Sequence, residues 1–134
     1  MRVAVSIILL AAVAALAACG SQGVQVAKDS GYYNGAVLFR EHCSGCHTLS
    51  VVGAKGSATS IANRLKTNGP NFDIRKENEE QVLYAIRNGG FSGAIMPENI
   101  VVGEDARSIA GFLAHYSGHA AQKVPSTNIT LTTK

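Results

Sequence analysis

Residues 41–50 read Glu-His-Cys-Ser-Gly-Cys-His-Thr-Leu-Ser, EHCSGCHTLS. Cys43 and Cys46, two of the chain's three cysteines, stand three apart, and His47 directly follows the second. On one turn of helix this spacing brings both sulfurs to the same side, with only the small Ser44 and Gly45 between them. The imidazole of His47 can then swing beneath whatever the sulfurs hold. C-x-x-C-H is the attachment pattern of c-type haem: two thioether bonds fix one porphyrin edge and the histidine takes the iron. Three plainer arrangements compete. A Cys43–Cys46 disulfide leaves His47 and the long flanking loops unexplained. A thioredoxin-like dithiol needs a strand–helix setting. A zinc site needs four closed ligands and would have to recruit His42, His47 or distant histidines.

Upstream, residues 1–18 read MRVAVSIILLAAVAALAA, in which Arg2 precedes an uncharged stretch from Val3 to Ala18. That stretch is shorter than the roughly 20 residues a membrane-spanning helix needs, and it ends in small residues, so 1–18 reads as an export signal. Of twelve Lys and Arg, eleven remain after Arg2, against nine Asp and Glu. The basic residues are scattered, which argues against a nucleic-acid role. The third cysteine ends Leu16-Ala17-Ala18-Cys19, which resembles the lipobox of bacterial lipoproteins. That resemblance implies cleavage before Cys19, lipid on its sulfur, and a membrane anchor on the periplasmic or other extracytoplasmic side. Ordinary cleavage after Ala15-Leu16-Ala17 would instead leave a free thiol in an oxidising compartment. Residues 19–33 have the Gly/Ser-rich composition of a flexible linker.

Three helical patterns follow, with no convincing strand alternation. The first runs through Ala36–Glu41 into the cysteine motif. The second starts at Asn78 as N-cap, with Glu79, Glu80 and Gln81 in its first turn, and stops at Gly89. Its apolar residues are Val82, Leu83, Ala85 and Ile86. The third opens on Glu104 and Asp105, should bury Ile109, Ala110, Phe112, Leu113 and Tyr116, and ends near Gly118. This predicts an all-α domain over 34–118, with long loops wrapped around something large and apolar, followed by a tail over 119–134.

A bound haem iron has a second axial position to fill. Past the export signal the chain has one methionine, Met96, in a Gly-rich segment where Pro97 favours extended backbone. His42 shares the motif's own turn and cannot easily reach the opposite face. His115 and His119 lie at the end of the third helix and read as solvent-exposed. Met96 is the candidate.

From Gly35 to Tyr116 the chain resembles a class I cytochrome c, a small monohaem electron carrier. Gly35 and Phe39 match the family's first helix, Gly69-Pro70-Asn71 its G-P-N turn, and Ile95-Met96-Pro97 its methionine segment. The resemblance implies a cytochrome c-like fold of three main helices and one haem c, covalent through Cys43 and Cys46. It also implies iron ligation by His47 and Met96, with the Pro70 carbonyl accepting a hydrogen bond from His47. Ile109, Phe112, Leu113 and Tyr116 would meet the first helix. Leu83, Ile86, Phe91 and Phe112 would keep water from the haem. The role this implies is electron transfer between redox proteins, as a tethered carrier or a subunit of a respiratory complex, and not an enzyme. The alternative is a haem-based sensor or peroxidase-like protein with an open or labile sixth position. The loop over 48–69 departs from the family's short forms, and its shape is not predicted.

Overall fold

The computed structural model describes residues 23–90 and 95–119, in which three α-helices carry the fold: α1 (Tyr33–His42), α2 (Glu79–Asn88) and α3 (Gly103–Tyr116). The export signal over 1–18, the lipid site at Cys19, Phe91 and tail residues 120–134 lie outside the described residues. No described helix is long and apolar enough to cross a membrane.

α2 forms for reasons local to its sequence. The Asn78 side chain accepts from the Gln81 N–H at 2.9 Å, and the Gln81 side chain accepts from the Asn78 N–H at 3.0 Å. Two donors at the start of the helix are thereby satisfied reciprocally. Glu79 and Glu80 face the positive end of the helix dipole and Arg87 the negative end. Gly89 ends the helix at φ 76°, a left-handed conformation that glycine adopts without steric cost. Val82 and Ile86, four apart on one face, are the buried side chains.

The molecule is centred where α1 meets α3. Gly35 lets the two backbones touch: a Cβ there would lie 2.7 Å from Phe112 Cβ and well inside contact distance of the Ser108 carbonyl oxygen. Phe39, one turn later, is fully buried, with its ring 5.9 Å from Phe112. α3 buries Ala106, Ile109, Ala110, Phe112 and Leu113 along one side and takes α2 as well as α1. Tyr116, expected in the core, is half-buried: it closes a ring cluster with Phe112 at 5.2 Å and, edge-on, Tyr32 at 5.9 Å.

Between α1 and α2 the chain makes a small hairpin that the sequence pattern did not announce. β1 (Thr48–Leu49) pairs antiparallel with β2 (Ala54–Lys55) around a 3₁₀ turn at Ser50–Val52. Strands this short carry no readable alternation, and the domain remains all-α in class. The Asp73 carboxylate accepts from both the Ser50 N–H and its hydroxyl, at 2.7 and 2.6 Å, and ties the hairpin to the segment that follows Pro70.

Residues 23–33 do not behave as the flexible linker their composition suggests. Val26 is 5% exposed and belongs to the core, and the Gln25 N–H donates to the Val51 carbonyl at 2.8 Å. Turns from Ser30 N–H to Ala27 O and from Tyr33 N–H to Ser30 O then lead directly into α1. Burying one valine side chain is worth about 1.5–3 kcal/mol, enough to outweigh a weak local preference for coil.

Candidate cofactor site

A cavity of about 950 Å³ opens between the end of α1, the loop over 57–75, α2 and the segment around Met96. Cys43, Cys46, His47, Pro70 and Met96 all line it. Cys43 follows the last residue of α1, and its N–H completes that helix by donating to the Phe39 carbonyl at 2.8 Å. The next turn is closed by His47 N–H to Cys43 O at 3.0 Å, and the Ser44 hydroxyl donates to the Arg40 carbonyl at 2.6 Å. Both cysteines are free thiols, each half-buried. Burial and the neighbouring Cys46 push the Cys43 thiol up to about 12, so it stays protonated at neutral pH. Among the described residues, no cluster of three or more His, Cys, Asp or Glu could hold a metal ion.

His47 is held on three sides. Its Nδ1 donates to the Pro70 carbonyl at 3.2 Å, which fixes the tautomer and leaves Nε2 as the nitrogen with a free lone pair. Phe72 stacks on the ring, with centroids 4.8 Å apart and planes 15° from parallel. Gly69 closes the third side: a Cβ there would lie 2.6 Å from Nδ1. Burial lowers the basicity of the ring; the Pro70 bond opposes this, and the Arg75 charge adds to it. His47 is therefore neutral at pH 7, the form that can donate a lone pair.

The loop after the motif builds one wall. Gly56 N–H donates to His47 O at 3.0 Å, Gly69 N–H to Cys46 O at 2.7 Å, and Asn68 Nδ2 to Gly56 O at 2.7 Å. Ile95 N–H then donates to Lys66 O at 3.0 Å, which joins this loop to the Met96 segment. That segment is also pinned to the end of α2 by Asn99 N–H to Ile86 O at 2.7 Å. Met96 and His47 thus line one cavity from separate parts of the chain.

The lining differs in part from expectation. Ile86 lines the cavity, but Leu83 and Phe112 do not: Leu83 lies on another side of α2, and Phe112 is taken up by the α1–α3 crossing. Phe72, Ile95, Ile109 and Leu113 line it instead. Sequence reasoning also missed the Arg75–Glu77 ion pair, in which a buried carboxylate at the cavity wall is matched by a half-exposed guanidinium. His42 is exposed at the cavity's edge, whereas His115 stacks on Tyr32 at 4.4 Å and, like His119, lies away from the cavity.

Two free thiols, a neutral imidazole with one lone pair available, a thioether and a largely apolar chamber fit a covalently held haem. A family model described as Cytochrome c matches residues 32–117. The chain belongs to the cytochrome c family. Comparison with curated proteins and with solved structures finds no match. A cytochrome c domain carries one covalently bound haem c, and Cys43 and Cys46 have the spacing of its attachment motif. Cytochromes c are haem-based electron-transfer proteins that act with redox partner proteins, and they are generally exported to the extracytoplasmic side. The cavity, the α1–α3 crossing at Gly35 and the Pro70 turn all fall within the matched residues. The Gln25–Val26 contacts precede them.

Proposed function

We propose that this chain is a one-electron carrier whose iron is held between His47 and Met96, and which lipid on Cys19 tethers to the outer side of a bacterial membrane. The observation that carries the reading is that a fixed imidazole, His47, and the methionine Met96 line the same cavity as Cys43 and Cys46. Bound haem supplies an iron that alternates between ferric and ferrous states. His47 offers Nε2, and the Pro70 carbonyl holds the ring in place and raises its basicity. Met96 offers a soft sulfur that favours the ferrous state and raises the potential. With both donors engaged, no position is left for an outside ligand, which separates a carrier from a sensor or a peroxidase-like enzyme. Phe39, Phe72, Val82, Ile86, Ile109 and Leu113 exclude water from the chamber. The reaction calls for no acid, base or nucleophile, so the protein is not an enzyme. The edge bearing Cys43 and Cys46 is half-exposed, and electrons pass there to and from redox proteins.

Exposing the ferrous holoprotein to carbon monoxide tests this reading. The bands of the native protein should stay unchanged, and those of Met96→Ala should shift. Ready binding by the native protein would replace the carrier with a ligand-binding role.

A further inference from the structure

The segment before α1 is docked, and this changes what a lipid on Cys19 would do. Val26 is buried in the core, Gln25 is bonded to Val51, and a Cβ on Gly23 would lie 3.5 Å from the Arg40 guanidinium. Only Gly20, Ser21 and Gln22 separate Cys19 from this fixed point. Fully extended, Cys19 and Gly23 are at most about 14 Å apart. A domain of this length is roughly 30 Å across. The side of the molecule opposite Gly23 therefore cannot reach the lipid. A free linker over residues 20–33 would extend to roughly 50 Å and would allow every orientation.

We infer that the face formed by residues 23–29, Arg40 and the 3₁₀ turn at Ser50–Val52 is the membrane-facing surface of this protein, its occupant being a phospholipid surface. The inference rests on lipidation of Cys19. It also sets the working geometry. Arg40 is three residues before Cys43, and its carbonyl holds Ser44, so the cysteine-bearing turn is on the membrane-proximal half. On this reading α2, which packs mainly on α3, the other helix of the crossing, lies in the half away from the bilayer. A partner that exchanges electrons at the cysteine edge must then present its own redox centre close to the bilayer.

The test is photo-crosslinking of the full lipidated holoprotein in phosphatidylcholine vesicles that carry a diazirine on the headgroup, with adducts mapped by mass spectrometry. Adducts should concentrate on residues 23–29 and around Arg40, and be absent from the exposed Glu79, Arg87 and Asn88 of α2. Inserting about ten Gly/Ser residues after Ser21 lengthens the tether without touching the fold and should spread adducts to α2. Flotation of the same vesicles separates the two claims. Protein that floats yet is labelled equally on both sides overturns the fixed orientation alone. Protein that does not float overturns the lipid anchor, and the orientation falls with it.

Discussion

Gly35 and Gly111 both sit inside helices, and a methyl group added at each should move stability in opposite directions. Propensity alone favours Ala over Gly in a helix interior by about 1 kcal/mol at either position. At Gly111, in α3, the nearest atom to a new Cβ is the Glu79 carboxylate oxygen at 3.7 Å, an ordinary contact. Gly111→Ala should therefore stabilise by about 0.5–1 kcal/mol. At Gly35 the new Cβ meets the backbone carbonyl of Ser108 and lies 2.7 Å from Phe112 Cβ. Neither can move without separating α1 from α3, so the penalty belongs at or above the upper end of the 1–3 kcal/mol seen for overpacking. Net of propensity, Gly35→Ala should lose about 2 kcal/mol, which in a domain of this size is a fall in Tm of about 8–16 °C. Parallel urea and thermal melts of the two holoprotein variants read both signs. A Gly35→Ala protein as stable as the parent would refute the close crossing on which this fold rests.

Other expectations follow from single contacts. Asn78→Ala removes the reciprocal cap of α2 and should cost about 1 kcal/mol in urea unfolding, with Asn78→Ser recovering most of it. Gly69→Ala should push His47 from the Pro70 carbonyl and leave the ring less basic. Voltammetry should then show a raised potential, and an unchanged potential would mean that the clamp does not set the ligand. Phe72→Ala removes the ring stacked on His47 and should destabilise by about 3–5 kcal/mol, with Phe72→Leu losing much less.

What the sequence made legible was local. The cysteine pair and its histidine are contiguous, and the cap of α2 is written in Asn78 and Gln81. Pro70 and Met96 could be read because the short turns that hold them resemble the family's. What it hid depends on contacts across the chain. Phe72 is an ordinary apolar residue in sequence, and only the fold lays it parallel to His47. Leu83 and Ile86 differ by less than one helical turn, yet only Ile86 faces the cavity, since the direction of that face is set by packing on α3. Residues 23–33 are composed like a linker. The burial of Val26 is decided by a core that does not exist until α1 and the hairpin come together. The wall formed by the loop over 56–69 rests on hydrogen bonds to Cys46, His47 and Ile95, none of which has a local signature.

The most direct test of the central claim, that Met96 completes the iron's coordination opposite His47, is the weak far-red absorption band of sulfur ligation in the ferric holoprotein. The parent should show it, Met96→Ala should lose it, and His42→Ala and His115→Ala should keep it. A parent without the band, or a Met96→Ala protein that retains it, would contradict the assignment and with it the reading of the protein as a closed one-electron carrier.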